Sequence, residues 1–221
     1  MRVRRGILIS LLTFWPALAG AEGSKAPSFQ VQLDGLLYSP SGTVASLGGA
    51  ELSALLPSGP GFAVTGSIGI ARRWIVAARV AYFGSSQDGS FSFADGVPPA
   101  GPYAINRELH VTNVHGLLQY RHPLAANLQW ELEAGAGVSQ SRERLVLSSA
   151  TGEKASAVGV QLDPSYTAGA SLGYLALWNT DVVGSFRWSR TAAGDGAVWT
   201  SGDAPSYLNW TLGLRYPHET H

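Results

Sequence analysis

From Tyr207 to Tyr216 the chain alternates between two kinds of residue almost without a break, and this alternation most limits the folds open to it. Leu208, Trp210, Leu212, Leu214 and Tyr216 fall on one side of an extended strand, with Asn209, Thr211, Gly213 and Arg215 on the other, because successive strand side chains point to opposite faces. A strand of about ten residues is long enough to cross a bilayer on a tilted path.

Seven more segments carry the pattern. Phe29 to Tyr38 places Phe29, Val31, Leu33 and Leu37 opposite Gln30, Gln32 and Asp34. Phe62 to Ile70 sets Phe62, Val64, Ile68 and Ile70 against Thr65, Ser67 and Gly69, and Trp74 to Phe83 sets Val76, Ala78, Val80 and Tyr82 against Arg79. Leu109 to Arg121 is the least regular, since Leu117 shares a face with Asn113, His115, Gln119 and Arg121. Leu128 to Val138 alternates cleanly, as do Ser165 to Leu175 and Asp181 to Ser189. With the last strand the count is eight.

The connections sort into two sets. Short ones near Ala71 to Arg73, His122 to Asn127 and Ala176 to Thr180 alternate strictly with long ones near Ser39 to Gly61, Gly84 to Arg107, Ser139 to Pro164 and Arg190 to Ser206. Short turns on one side and long loops on the other are expected of a transmembrane β-barrel, and an even strand count puts both strand-bearing ends on the periplasmic side. Alternation alone suits a soluble β-sandwich or lipocalin-like barrel as well. Lysine usage separates them. Lys25 and Lys154 are the two lysines, both outside the expected strands, whereas a water-facing sheet ordinarily carries several Lys and Glu on its polar face.

Aromatic placement points the same way. Phe29, Tyr120, Trp130, Tyr174 and Tyr216 fall near the periplasmic strand ends, and Phe62, Tyr82 and Trp188 near the external ends. Together with Trp210 they are expected at the membrane interfaces, where aromatic rings form two girdles. The fold expected is therefore an all-β, eight-stranded antiparallel up-and-down transmembrane barrel with a polar lumen filled by side chains. Asp34, Arg79, His115, Glu133 and Arg187 should lie at middle depth, with Arg121, Glu131, Asp181 and Arg215 nearer the periplasm. Two layers of paired charge result, plugging the lumen and holding strand register; a proton or ion path is the alternative role.

At the N-terminus, Arg2, Arg4 and Arg5 precede an apolar run from Gly6 to Leu18, followed by small residues at Ala19 and Ala21. This is the layout of a secretory signal peptide over 1–21, too short for a comfortable spanning helix. A short segment, 22–28, leads into the barrel at 29–216, and a polar tail occupies 217–221. Loss of the three signal arginines takes the basic count from 15 to 12 against 15 acidic residues, which gives no footing for nucleic acid. With no cysteine in the chain, neither a disulfide scaffold nor a lipoprotein anchor is expected.

Candidate chemistry is sparse. Glu108, His110 and Thr112 share a strand face near the external end and resemble the His-x-Ser element of lipid A deacylases, except that Thr stands where Ser is required and the flanks differ. An interfacial polar cluster is the expected reading, and no catalytic residue is assigned. His110, His115, His122, His218 and His221 show no metal-ligand spacing, and no glycine-rich phosphate loop precedes a helix, so no metal or cofactor is expected. Among the loops, Ala45 to Leu56 suggests a short surface helix, Leu145 to Ala157 a hairpin turning at Thr151-Gly152, and Asp95 to Pro102 an irregular turn.

Over nearly all of its length past residue 28 the chain resembles the small eight-stranded outer-membrane barrels, the OmpA, OmpX and OmpW class. Tyr216 at the end of the last strand is similar to the C-terminal aromatic signal by which such barrels are recognised for assembly. The resemblance implies a Gram-negative outer membrane, contact with its lipid, and insertion by the barrel-assembly machinery. The implied roles range from envelope integrity and surface contact through four external loops to passage of small hydrophobic molecules. A lipid-modifying enzyme is the third possibility, and fold does not choose among them. A continuous opening past Leu36, Leu117 and Val183 would favour transport.

Overall fold

The computed structural model describes residues 29–41, 45–47, 50–52, 58–92, 102–177, 179–192 and 206–217. The expected signal segment over 1–21, residues 22–28 and the tail beyond Pro217 lie outside them, as does the turn expected over Asp95 to Pro102 apart from Pro102. Among the described residues ten strands follow in order: β1 (Phe29–Ser41), β2 (Ala45–Leu47), β3 (Ala50–Leu52), β4 (Gly59–Ala71), β5 (Trp74–Ser92), β6 (Pro102–Ala125), β7 (Leu128–Ser149), β8 (Lys154–Leu177), β9 (Thr180–Thr191) and β10 (Ser206–Tyr216). Eight of them, all but β2 and β3, form one closed antiparallel barrel in the order β1-β10-β9-β8-β7-β6-β5-β4.

Closure is made by the two ends of the barrel sequence. β1 pairs with β10 from Val31 opposite Tyr216 to Ser41 opposite Ser206, and on its other edge with β4 from Phe29 opposite Ile68 to Tyr38 opposite Gly59. Because side chains alternate in and out, this register turns Gln30, Gln32, Asp34, Leu36 and Tyr38 inward, where they are buried, and Val31, Leu33 and Leu37 outward. The inversion holds round the barrel. Buried residues are largely Gln, Ser, Thr, Asp, Glu and Arg, while Val64, Val80, Leu132, Leu172, Leu212 and Leu214 are exposed on the outer wall. A protein in water buries the second set and exposes the first; an outer wall of this kind is stable against hydrocarbon, and only a closed sheet satisfies its backbone there.

Four strands run well past the expected ends. β5 continues to Ser92, β6 starts at Pro102, β7 continues to Ser149 and β8 starts at Lys154. The pairing is unbroken, from Gly84 opposite His110 to Ser92 opposite Pro102, and from Ser139 opposite Asp163 to Ser148 opposite Lys154. Beyond the lipid both faces of a strand meet water, so the alternation that marks the spanning part fades while the hydrogen-bond ladder persists. The β7–β8 hairpin turns through Ala150 to Glu153, where Gly152 takes a φ of 87°, a conformation that favours glycine. In the first external connection the expected helix over Ala45 to Leu56 is replaced, within the described residues, by the β2–β3 pairing of Ala45 opposite Leu52; residues 53–57 lie outside the description. The Gly48-Gly49 pair between the two strands in sequence opposes helix and favours a turn.

The outward placement of Leu212 has a direct test. Leu212→Arg should lower unfolding stability in lipid vesicles by about 2–4 kcal/mol, the cost of arginine near the bilayer midplane. A change close to zero in urea titrations would mean that this face meets water.

Candidate functional site

The lumen is filled in layers. At the end of the barrel that carries the short turns, Arg121 donates from Nε to Glu131 Oε1 at 2.5 Å, and Arg215 donates from Nη1 to the same oxygen. Arg215 also donates from Nε and Nη2 to Asp181 Oδ2, at 3.0 and 2.8 Å, while Gln129 donates to that oxygen at 2.7 Å and Ser171 to Glu131 at 3.3 Å. Gln30 closes the end by donating to the Pro217 carbonyl at 2.7 Å. Arg121 and Arg215 are among the most completely buried side chains of the described residues. Charges so placed are tolerable because each carboxylate is shared and hydrogen-bonded.

At middle depth Arg187 grips both carboxylate oxygens of Glu133, through Nε and, at 3.3 Å, through Nη2, and reaches Ser185 at 2.7 Å. Gln119 donates to Glu133 at 3.1 Å. Across the lumen Arg79 faces Asp34 at 3.5 Å, Gln32 donates to Asp34 at 2.7 Å, and His115 lies 2.8 Å from Ser165 Oγ. The two ion pairs differ in quality. Arg79 Nη1 and Asp34 Oδ2 are buried without a hydrogen bond, whereas the Arg187–Glu133 pair is bidentate. Inward glycine makes room for these long side chains. A Cβ on Gly169 would meet Arg187 Cγ at 2.7 Å, and one on Gly173 would meet Arg215 Nη2 at 2.8 Å.

Above the charges lies an apolar layer that strand-by-strand reading of the sequence passed over. Tyr38, Phe83 and Tyr207 turn inward with Leu36, Leu109 and Val111 as one buried cluster. The Tyr38 and Phe83 rings lie 4.1 Å apart and Phe83 and Tyr207 5.5 Å apart, and Tyr38 donates from its hydroxyl to Ser85 at 2.6 Å. Parity held the signal, since Tyr38 shares a face with Asp34, Phe83 with Arg79 and Tyr207 with Arg215. Higher still, Arg107 bonds Glu143, and Gln161 donates to Asp163 at 2.9 Å. Leu36, Leu117 and Val183, where an opening would have to pass, are 4, 3 and 1 % exposed.

On the outer wall, Phe29, Phe62, Tyr82, Tyr174, Trp188, Trp210 and Tyr216 are exposed, joined by Trp74 and Tyr166. Tyr120 and Trp130 are half-buried, because Tyr120 packs between Trp74 at 5.2 Å and Trp130 at 5.9 Å. His110 also faces outward. Its Nδ1 lies 2.8 Å from the Tyr82 hydroxyl, and Glu108 faces Arg144 at 3.8 Å, so the Glu108, His110 and Thr112 face is not joined into a proton relay. Among the described residues no group of three or more His, Cys, Asp or Glu side chains is placed to hold a metal ion.

No protein-family model matches the chain, and no curated protein matches its sequence. Solved structures do match in shape. Neisserial surface protein A is similar at 12 % identity and a TM-score of 0.52 over 87 % of this chain and 99 % of that one. The outer membrane protein OprG from Pseudomonas aeruginosa is similar at 15 % identity and 0.50 over 88 % and 97 %. The outer membrane protease OmpT from Escherichia coli is similar at 10 % identity and 0.51 over 89 % and 99 %. At these identities the likeness is one of fold, and it spans outer-membrane proteins of more than one activity.

The contrast between the two middle-depth pairs gives a graded expectation. Arg187→Met strands Glu133 and should destabilise the barrel by about 3–5 kcal/mol, and adding Glu133→Leu should recover most of that loss. Arg79→Met, which removes a longer contact, should cost less. Urea unfolding in detergent measures both; equal costs, or no rescue in the double variant, would contradict the paired-layer account.

Proposed function

We propose that the chain is an outer-membrane barrel with a structural or surface-interaction role, exercised by its external face and not through its lumen. The observation that carries this is the filling of the lumen at every level, from the Arg121–Glu131–Arg215–Asp181 network to the Tyr38–Phe83–Tyr207 cluster. Eight strands enclose little more than side-chain volume, and here that volume is taken. The luminal charges then act as a plug and a register lock.

Export and placement follow from the same reading. The signal-like segment 1–21 directs the chain through the inner membrane of a Gram-negative cell and is cleaved. The strand ending on Tyr216 offers itself to the barrel-assembly machinery, and the exposed belt between the aromatic rings meets outer-membrane lipid. What remains for function is the external side, where β5, β6, β7 and β8 extend beyond the barrel as a four-stranded sheet. That surface is large, regular and rooted in a rigid base, as a contact site for an external ligand or protein requires. A barrel of similar shape is named a surface protein.

Production in an outer-membrane-bearing host tests the proposal. Intact cells should bind antibody against an epitope inserted between Thr151 and Gly152, and entry of a small hydrophilic solute should stay at the rate of cells lacking the protein. Solute entry that rises with expression would put transport first. Antibody binding that needs permeabilised cells would reverse the orientation.

A further inference from the structure

At the short-turn end of the barrel the exposed charge is of one sign and lies in one sector. Arg72 and Arg73, the two residues of the turn between β4 and β5, are both exposed. The carboxylates at this end, Glu131 and Asp181, are buried in the lumen on Arg121 and Arg215. Among the described residues neither Arg72 nor Arg73 has an ion pair, and the β8–β9 turn and the neighbouring ends of β10 and β1 add no exposed charge. Phe29, Tyr174 and Tyr216 there form a girdle without a cation.

On the arginine side the girdle is built differently. Register sets Trp74 beside Tyr120, and the Arg121 amide donates to the Arg73 carbonyl at 2.9 Å, so the Arg73 side chain starts at the level of the rings. It donates from Nη1 to the Tyr120 hydroxyl at 3.1 Å. Trp74 lies edge-on to Tyr120 at 5.2 Å, Tyr120 packs on Trp130 at 5.9 Å, and the His122 ring stacks on Trp130 at 6.0 Å. Four rings thus back one guanidinium whose orientation is set by a phenol. That bond uses one of the five N–H donors of the arginine fork, and the others are arranged for a second, bidentate acceptor. Rings of this kind mark headgroup depth. Leu124, one outward position past His122 and 57 % exposed, suits the same boundary.

We propose that this corner of the barrel seats the headgroup of an anionic glycerophospholipid, with Arg72 and Arg73 on its phosphate and the Trp74–Tyr120–Trp130 slab against its glycerol carbons. Charge selects the class. A zwitterionic headgroup brings its own cation to two arginines that no acid neutralises, whereas a headgroup of net negative charge brings none. The seat is continuous with the lipid-facing belt, where Val76, Leu118 and Leu132 stand exposed or half-exposed to the acyl chains. It rests on the outer-membrane placement proposed above, which sets the short turns in the phospholipid leaflet.

The experiment uses protein purified from membranes and exchanged into phosphatidylcholine nanodiscs doped with phosphatidylglycerol, with retained lipid counted by native mass spectrometry. Wild type should retain phosphatidylglycerol in preference to the host lipid. Arg72→Gln with Arg73→Gln should weaken that retention about 30-fold, from about fivefold per surface arginine. Arg142→Gln with Arg190→Gln removes the same charge from exposed positions on β7 and β9 at the long-loop end and should leave retention unchanged. The heat-modifiable electrophoretic form should be intact in both variants. Unchanged retention in the Arg72 and Arg73 variant, an equal loss in the Arg142 and Arg190 variant, no preference over phosphatidylcholine, or complete displacement by inorganic phosphate at matched concentration would each overturn the proposal. Failure of wild type to give the heat-modifiable form in the discs would instead overturn the membrane placement, and the seat with it, before any lipid is counted.

Discussion

In hydrocarbon an unpaired backbone amide or carbonyl finds no water, and each such group costs several kcal/mol. Every other feature of this molecule depends on meeting that condition. The antiparallel ladder between β1 and β10, unbroken from Val31 to Ser41, removes the two edges that an open sheet would leave. Once the sheet is closed, strand parity decides which residues meet lipid and which meet the lumen. The outward Leu33, Val64, Val80 and Leu212 and the inward Asp34, Thr65, Arg79 and Thr211 are two sides of one register. Slipping a strand by one residue would exchange them.

Closure of so small a barrel creates a second condition. The inner wall is too narrow for bulk water, so polar residues turned inward must satisfy one another. Three of the carboxylates do so by sharing: Glu131 receives Arg121 and Arg215, Asp181 receives Arg215 and Gln129, and Glu133 receives Arg187 and Gln119. Such networks contribute modestly to stability relative to apolar packing, yet they penalise any register that separates the partners. Towards the outside the wall changes chemistry. Tyr38, Phe83 and Tyr207 pack against Leu36 and Val111, so a solute would have to displace both buried ion pairs and a packed aromatic layer to pass. The same filling that stabilises the barrel argues against a conduit and shifts function to the outer surface.

Much of this was legible in the sequence because the bilayer imposes period two over a fixed length. Leu128 to Val138 and Tyr207 to Tyr216 alternate cleanly, and both lie in strands that span the lipid belt. The pattern weakened where the solvent changed. Gly84 to Ser92 and Ser139 to Arg144 remain strands, but with water on both faces nothing forces their residues to alternate, and they read as loops, whereas Leu145 to Ala157 was legible as a hairpin from its Thr151-Gly152 centre. Ala45 to Leu56 misled for another reason: its Ala, Leu and Glu are good helix formers, while the β2–β3 pairing depends on partners that local propensity does not encode. Asp34, Arg79, Glu133 and Arg187 could be assigned to one face from parity, but which acid meets which base depends on shear around the barrel. The aromatic layer was hidden in plain parity, because rings in a membrane barrel are first sought at the lipid interface.

The most direct test of the account is single-channel recording of the refolded protein in a planar bilayer, made after heat-modifiable migration confirms insertion. Layers of shared charge capped by packed aromatic rings predict a correctly inserted barrel with no discrete conductance. Stable, reproducible conductance steps from the same preparation would contradict the filled lumen and the external role built on it.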